Sequence, residues 1–140
     1  MHRNLLINID VEDLVIAEEF YKNAFAMTSK RRFGTSGLEM DHQGFTVYLL
    51  EKEAGSKPFP DADYDGLRHY DRHWTPIHLD FVVDDLEKAL KKAEKAGAIR
   101  MKGSVIREHK WGRIVALSDP FGNGFCILQF VGRGYDEIGG

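Results

Sequence analysis

The stretch TPIHLDFVVDDLEKALKKAEKAG, residues 75–97, contains a strand, a helix cap, a helix and a helix stop in one run. A second copy, NLLINIDVEDLVIAEEFYKNAFAM, lies about 72 positions earlier, at residues 4–27. In this alignment Asp85 and Leu86 fall on Asp13 and Leu14. Repetition of a whole strand–helix unit indicates one structural module used twice.

The two copies share a pattern of local structure that continues beyond each helix. Apolar and polar side chains alternate in each opening strand, as they do when one face of a sheet is covered. Asp13 caps the first helix, and Gly97 ends the second. The predicted strands are 5–11, 30–33, 37–41 and 45–51, then 77–83, 99–101, 104–108, 113–118 and 124–131, with helices at 14–25 and 86–96.

Module one spans about 4–53 and module two about 75–132, and we expect them to form a single domain over 1–140. The segment between them, 52–74, is rich in Gly, Pro, Asp and His and is longer than most structureless loops. It suits a linker, a lid or an interface element, and the sequence does not choose among these. The tail, 133–140, is small and polar, so it is expected to wander unless a partner holds it.

Composition excludes several classes of partner. The formal net charge is -3, with 29% charged and 43% hydrophobic residues, and the chain has no basic patch for nucleic acid or for an anionic membrane. The single cysteine cannot form an internal disulfide, which fits a reducing compartment. Early acidic residues argue against a signal peptide, and no apolar run approaches the length of a membrane span. We therefore expect a cytoplasmic protein.

Two βαβββ units, the helix DLEKALKKAEKAG at 85–97 and the strand–turn–strand WGRIVALSDPFGNGFCILQF at 111–130 resemble the vicinal oxygen chelate superfamily. This group includes glyoxalases, ring-cleaving dioxygenases and bleomycin-resistance proteins. The resemblance implies an α+β fold in which curled mixed sheets surround a cleft shared by the modules, with the helices on the convex side. It also implies a homodimer.

Metal-using members of this superfamily place four ligands in the cleft, one each on the first and last strand of each module. The equivalent positions here hold Leu6, Leu49, His78 and Leu128. A leucine side chain offers no lone pair to a cation, so we expect no metal cofactor. A one-residue slip would bring in Glu51 and Gln129 and leave a divalent-metal site as an alternative. Such a slip turns side chains towards the helix face.

Polar residues on the first strand of each module are the candidate ligand-binding groups. His78 and Asp80 lie two apart and share a face, and Asn8 and Asp10 occupy the corresponding strand of module one. The alternative is that the aspartates lie in water at strand ends and that His78 is a hydrogen-bonded cavity histidine.

Apolar residues complete the predicted ligand site. Leu49 and Leu128 would form the floor, while Trp111 and Arg113 would lie near the mouth, where Arg113 pairs with an acidic group. Alternatively the leucines close a core and Arg113 is a surface residue. An acidic repeat at 61–66 imitates a calcium loop but has Arg72 where the motif needs glutamate, so we reject it.

These patterns favour a metal-independent small-molecule binding protein of the glyoxalase/bleomycin-resistance type, with an aromatic or partly cationic ligand. The alternative is an enzyme of the same superfamily. It would be a metal-dependent lyase or dioxygenase, or a metal-free enzyme in which His78 acts as general base and Asp80 orients it. The residues do not support the specific activity of a lactoylglutathione lyase. A dimer whose long segment serves a protein partner is a third possibility.

Overall fold

A computed structural model describes residues 5–59 and 66–137, and the chain divides into two compact units, Met1–Asp71 and Arg72–Gly140. The first unit contains β1 Ile7–Val11, α1 Leu14–Phe25, β2 Thr28–Phe33, β3 Gly37–His42 and β4 Phe45–Glu51. The second contains β5 Leu79–Val82, α2 Leu86–Ala96, β6 Ile99–Arg100, β7 Arg107–Glu108, β8 Gly112–Ser118, β9 Gly124–Phe130 and a 3-10 turn Gly134–Glu137.

Both units have the same sheet topology. The strand order is β1-β4-β3-β2 in the first unit and β5-β9-β8-β6 in the second, where β7 also pairs with β8. The first and last strand of each module run parallel, and the other pairs are antiparallel. The predicted α+β class with two βαβββ modules is confirmed, while the cleft shared by the modules stays a prediction.

The two helices begin and end where their capping residues predict. Asp13 accepts a hydrogen bond from the Ile16 N–H at 3.0 Å, and Asp85 accepts one from the Lys88 N–H at 3.1 Å. The second helix ends at Gly97 with φ 123°. The first ends differently, because Ala26 takes the left-handed conformation with φ 55°, which costs a residue with a Cβ more than it costs glycine.

A side chain on the last strand of each module fixes which face of each sheet the helix covers. Glu51 of β4 accepts a hydrogen bond from the Leu14 N–H at 2.8 Å, and Gln129 of β9 accepts one from the Leu86 N–H at 2.9 Å. Side chains alternate along a strand, so residues two positions away from Glu51 and Gln129 also face the helix. Each helix buries an apolar stripe, formed by Leu14, Ala17, Phe20 and Ala24 in α1 and by Leu86, Leu90 and Ala93 in α2.

The segment between the modules is attached to the first unit. Arg68 Nε donates to Asp10 Oδ2 at 2.8 Å, and the Tyr70 hydroxyl donates to the Val11 carbonyl at 3.3 Å. Backbone hydrogen bonds also join Arg68 to Gly55 and Ser56. Residues 60–65, which carry most of the acidic repeat, lie outside the described residues. Arg68 and Tyr70 therefore fasten the part of the segment that belongs to the first unit to β1.

The described part of the tail lies beside the end of β9. It forms the 3-10 turn Gly134–Glu137 and places the Tyr135 ring 5.6 Å from the Phe130 ring. An aromatic edge contact therefore places this part of the tail beside the end of β9, while its mobility stays a prediction. Residues 138–140 lie outside the described residues. Over the residues that the structure does describe, no helix is long and apolar enough to cross a membrane.

Candidate functional site

Three side chains with lone pairs meet on the second sheet. His78 precedes β5, Asp80 lies on β5, and Cys126 lies directly opposite Asp80 on the parallel strand β9. One ligand atom from each, an imidazole nitrogen, a carboxylate oxygen and the sulfur, lies within 4.8 Å of the other two. We call these residues the His78–Asp80–Cys126 cluster. The strand register produces it, because paired residues on adjacent strands project from the same face.

Asp80 is the centre of this cluster. Its Oδ1 lies 3.1 Å from His78 Nε2, and the exposed fractions of the two side chains are 42% and 31%. The Cys126 thiol, which is 4% exposed, has its sulfur within 4.8 Å of this carboxylate. Burial, and then the nearby Asp80 charge, raise the pKa of Cys126 to about 11. The thiol therefore stays protonated near neutral pH and is a poor nucleophile.

A tryptophan covers one end of the cluster. The ring centroids of Trp74 and His78 are 4.6 Å apart, and Trp74 is 44% exposed. The Trp74 ring also lies against Gly124, where an added Cβ would come within 2.2 Å of Trp74 Cε3. Only a residue without a side chain leaves room for the indole at position 124. Trp74 thus supplies an aromatic surface beside the His78–Asp80 pair.

The turn between β8 and β9 holds Trp74 in place. Buried Asp119 accepts hydrogen bonds from the Phe121 N–H at 2.8 Å and from the Asn123 side-chain amide at 2.9 Å. Asn123 Oδ1 in turn lies 2.9 Å from His73 Nε2, and the His73 N–H donates to the Gly122 carbonyl at 2.9 Å. A rigid turn therefore anchors the residue that precedes Trp74.

The rest of this sheet face is mostly apolar, with one buried hydroxyl. Leu128 lies opposite Val82 on one side and Ile114 on the other, two residues beyond Cys126. Ser118 lies opposite Gly124 and is 1% exposed, and no described residue hydrogen-bonds its Oγ. The face thus combines an apolar floor with a few polar groups, as small-molecule sites do.

Two of the four positions assigned as metal-ligand equivalents require correction. Leu49 is fully buried, and it is two residues from Glu51 on the helix-covered face of β4. Leu128 does share the face of His78, but the residue of β9 that lies level with Asp80 is Cys126. Leu49 therefore lies on the face opposite to the one predicted. On β9, the residue level with Asp80 is Cys126 and not Leu128.

The one-residue slip that would recruit Glu51 and Gln129 does not occur. Both side chains lie on the helix-covered faces and accept hydrogen bonds from the first N–H groups of the helices. Their oxygens satisfy helix ends that would otherwise lack partners. The side-chain oxygens of Glu51 and Gln129 are therefore engaged at the helix N-termini.

Arg113 also lies away from its predicted position. It donates to both carboxylate oxygens of Glu87 on α2, one of them at 2.8 Å, and its Nε lies 3.3 Å from Glu108. Arg113 lies opposite Gln129 in the pairing of β8 with β9. Since Gln129 faces α2, Arg113 faces the helix as well. Its pKa is raised, first by the hydrogen bond to Glu87. The prediction that Arg113 lies with the ligand-binding residues was wrong, because one step along a strand reverses the face.

Trp111 packs at the other end of β9. Its ring stacks on His109 at 5.0 Å and lies 5.9 Å from Phe130. Phe130 is four residues from Cys126 along an extended strand, which is about 13 Å. Trp111 is therefore at a distance from the His78–Asp80–Cys126 cluster.

Asn8 and Asp10 lie on β1 of the first unit, opposite Tyr48 and Leu50. Asn8 is exposed. Asp10 is engaged by Arg68, whose side chain is 16% exposed, against 37% for Asp10. The carboxylate of Asp10 is therefore already part of an ion pair that holds the connecting segment.

The sequence analysis did not include Trp74 or Cys126 among the ligand-binding residues. Cys126 could have been found from its place in the last strand. The predicted position on that strand was too far along by two residues and fell on Leu128. Trp74 gave no comparable signal, because it lies in an aperiodic segment and reaches the site only through the turn at 119–124.

The sequence profile of the glyoxalase-like domain family matches residues 6–128. Among proteins of curated function, none matches the chain in sequence.

Solved structures agree with the fold. The fosfomycin resistance protein FosX from Listeria monocytogenes has a TM-score of 0.67 at 16% identity, with 98% of each chain covered. A glyoxalase/bleomycin resistance protein/dioxygenase family enzyme from Burkholderia phytofirmans PsJN has a TM-score of 0.65 at 18% identity, covering 90% of this chain and 97% of that one. A variant of the Listeria FosX, in complex with Mn(II) and 1S,2S-dihydroxypropylphosphonic acid, has a TM-score of 0.65 at 17% identity over 91% and 90%.

Proposed function

Given that this chain belongs to the glyoxalase-like domain family, we propose that it binds a small organic molecule, aromatic or partly cationic, at the His78–Asp80 pair. The observation that carries the proposal is the contact of His78 Nε2 with Asp80 Oδ1 at 3.1 Å beside the half-exposed Trp74 ring. A carboxylate next to an indole suits a ligand that combines a positive charge with a flat ring.

The chemistry of each group supports this class of ligand. Asp80 is the only acid of the cluster, and its side chain is 42% exposed, so an incoming ammonium or amidinium group can reach it. Trp74 is 44% exposed and offers a face for stacking. Cation–π contact with Trp contributes about 0.5–2 kcal/mol, and a charged hydrogen bond about 1.5–3 kcal/mol. Together these two terms supply roughly 2–5 kcal/mol, which is about the free energy of millimolar binding, and contacts with the apolar floor add to it.

The metal found in a FosX complex fits these donors poorly. That structure contains Mn(II) together with a phosphonic acid. Manganese prefers carboxylate, carbonyl and water oxygens, whereas His78 and Cys126 offer nitrogen and sulfur and only Asp80 offers a carboxylate. The proposed binding of an organic ligand therefore proceeds through the side chains themselves and needs no manganese.

Thermal-shift measurements on chelator-treated protein test the proposal. The probe is a panel of aromatic amines, each matched with the neutral aromatic alcohol of the same shape. We expect amines to raise the Tm more than alcohols do, and the effect to weaken in Asp80→Asn and in His78→Ala. His109→Gln is the control, because the His109 ring stacks on Trp111 and not on Trp74. Equal shifts for wild type and Asp80→Asn would refute the proposal.

Tryptophan emission gives an independent readout. The chain has two tryptophans, so Trp111→Phe leaves Trp74 as the only one. A ligand that stacks on Trp74 should quench its emission with the same midpoint as the thermal shift. In the reciprocal variant, Trp74→Phe, the remaining emission of Trp111 should not respond.

A second candidate is a metal-free enzyme in which His78 acts as general base. The specific observation in its favour is the contact between His78 Nε2 and Asp80 Oδ1, since a carboxylate commonly orients a catalytic imidazole. If this function is correct, turnover of a ligand found in the panel should disappear in His78→Ala and persist in chelator. Binding without any chemical change in the recovered ligand would exclude it for that ligand.

Two further properties belong to the proposal. A homodimer rests on the resemblance to the superfamily, and a cytoplasmic location rests on the single cysteine. Light scattering on the purified chain tests the first, with a mass near twice 16.0 kDa expected. A mass of one chain at micromolar concentration would contradict it. Fractionation of cells that express the chain tests the second, and recovery outside the cytoplasm would contradict it.

A further inference from the structure

We propose that Arg107 binds a carboxylate of the ligand held at the His78–Asp80 pair, so that the ligand is an aromatic zwitterion of the amino-acid type. This inference rests on the proposed function, in which Asp80 takes a positive group and Trp74 an aromatic ring. It adds a second charge to the ligand and names the residue that selects for it. The feature behind it is a guanidinium on the same sheet face that, among residues 5–59 and 66–137, makes no hydrogen bond or ion pair.

The pairing of β7 with β8 fixes the direction of the Arg107 side chain. Glu108 lies opposite Arg113, and its carboxylate is 3.3 Å from Arg113 Nε, on the side of the sheet that α2 covers. Arg107 is one step along the strand and therefore faces the other side. There it lies opposite Ile114, which in turn lies opposite Leu128 on β9. Arg107 thus lies on the face of the sheet that carries the candidate site.

The Arg107 charge acts on the centre of this face. Burial and then the Asp80 charge raise the pKa of the Cys126 thiol, whereas the Arg107 charge lowers the pKa of the same thiol. Ala116 lies opposite Cys126 on β8, and its short side chain leaves space above the sheet for the long arginine side chain. With the strand order β5-β9-β8 and β7 on the far edge of β8, the thiol lies between a carboxylate and a guanidinium.

Asp80 and Arg107 do not pair with each other. Three strand spacings of about 4.8 Å separate β5 from β7, which places the two backbones about 14 Å apart. Asp80 contacts His78 at 3.1 Å, and over the part of the chain that the structure describes Arg107 has no such partner. Two opposite charges that share a sheet face without neutralising each other are complementary to a ligand that carries both charges.

Three groups together define the outline of the ligand. The ring of Trp74, 44% exposed, offers a stacking surface, and Asp80 accepts hydrogen bonds from an ammonium group. The planar guanidinium of Arg107 matches the two oxygens of a carboxylate. A carbon that carries ammonium, carboxylate and an arylmethyl group satisfies all three, which is the outline of an aromatic α-amino acid. An aromatic amine lacks the contact with Arg107, and an aromatic acid lacks the contact with Asp80.

Calorimetric titration in chelator with three matched probes tests the inference. The compounds 2-phenylethylamine, phenylalanine and 3-phenylpropionate share a ring and a two-carbon chain, and they carry the ammonium, both charges and the carboxylate, respectively. We expect phenylalanine to bind about tenfold more tightly than 2-phenylethylamine. The gain stays near tenfold because Arg107 is exposed and water competes for its guanidinium.

Arg107→Gln should remove this preference, so that phenylalanine and 2-phenylethylamine bind within about twofold of each other. Arg100→Gln is the matched control, because Arg100 lies on β6 of the same sheet but donates to Glu94 of α2 at 3.0 Å. It should keep the preference of the wild type. An equal preference for phenylalanine in wild type and in Arg107→Gln would overturn the inference.

The position of Arg107 has a readout that needs no ligand. The chain has one cysteine, so a ¹³C label at the cysteine Cβ reports the titration of Cys126 alone. The pKa of Cys126 should rise in Arg107→Gln, since a positive charge that lowers it is removed. It should stay unchanged in Arg100→Gln. A Cys126 pKa that is the same in wild type and Arg107→Gln would place the guanidinium away from the site and contradict the inference.

The inference and the proposed function fail in different ways. If 2-phenylethylamine binds and the binding weakens in Asp80→Asn, but phenylalanine binds no more tightly, the proposed function stands and the inference is overturned. If 3-phenylpropionate binds to wild type and not to Arg107→Gln, while 2-phenylethylamine does not bind, Arg107 is a carboxylate-binding residue and the proposed function fails.

Discussion

Gln129 and Glu51 have the same structural role in the two halves of the chain. Each lies at or near the end of the last strand of its module and accepts a hydrogen bond from the first N–H of the helix, at 2.9 Å for Gln129 and 2.8 Å for Glu51. The repeat is therefore visible in a side-chain contact as well as in strand order. One copy uses an amide and the other a carboxylate.

Replacing Gln129 by leucine should destabilise the protein by about 1–2 kcal/mol, because the Leu86 N–H loses its acceptor. Gln129→Glu keeps an acceptor and adds negative charge at the helix N-terminus, so it should equal or exceed wild type by up to about 1 kcal/mol. Urea denaturation measures both. Equal losses in the two variants would show that packing, and not the hydrogen bond, is what matters here.

Gly124→Ala should displace the Trp74 ring, because the new Cβ would come within 2.2 Å of it. We expect a red shift of Trp74 emission in a Trp111→Phe background and a loss of about 1–3 kcal/mol, as overpacking usually costs. In a Trp74→Phe background the same change should leave Trp111 emission unaltered. An unshifted Trp74 spectrum would contradict the proximity of the two residues.

The Cys126 thiol makes the free energy of unfolding depend on pH in the alkaline range. Its pKa is raised from 9.0 to about 11 in the folded protein. The folded protein therefore favours the neutral thiol. The stabilisation that the neutral thiol contributes to the folded state is complete below pH 9 and is lost as the pH rises from 9 to 11. The difference in unfolding free energy between wild type and Cys126→Ala should fall by up to about 2–3 kcal/mol across that window. A difference independent of pH would refute it.

Arg68 should be more important than Asp10 for the order of the connecting segment. Arg68→Ala removes the bond to Asp10 together with bonds to Ser56 Oγ and the Lys57 carbonyl, at an estimated cost of about 1–2 kcal/mol. Asp10→Asn removes the negative charge of a partly exposed ion pair, so we expect less than about 1 kcal/mol. Limited proteolysis of 52–74 should follow the same order, and equal cleavage of both variants would contradict it.

Arg113→Ala should leave ligand affinity within about twofold, because Arg113 points to Glu87 on the helix side. Asp80→Asn should weaken binding of the responsive amine roughly 10–100-fold through loss of a charged hydrogen bond. Titration by tryptophan quenching compares the two variants. A large loss of affinity in Arg113→Ala would return that residue to the binding face.

Local signals in the sequence predicted the elements well. The second helix runs Leu86–Ala96 as predicted, since an aspartate cap and a glycine stop act over a few residues and need no tertiary partner. The short strands β6 and β7 were predicted too long. Their exposed residues carry little periodic signal, and pairing with β8 alone decides their ends.

The candidate site was only partly predictable. His78 and Asp80 share a face by simple alternation, and the structure brings them to 3.1 Å. The partner on β9 was misplaced by two residues, and Leu49 by one, because register across strands depends on pairing that no single strand encodes. The position of Arg113 was predicted wrongly for the same reason.

The sequence by itself determined the repeated βαβββ module, both helix caps and the polar face of β5, since each depends on neighbours within a few residues. Only the tertiary structure decided that Cys126 lies opposite Asp80, that Glu51 and Gln129 serve the helix ends, and that Trp74 lies against Gly124. Those contacts join residues distant in the chain. Strand register and a glycine without a side chain make them possible, and both become visible only when the sheet is assembled.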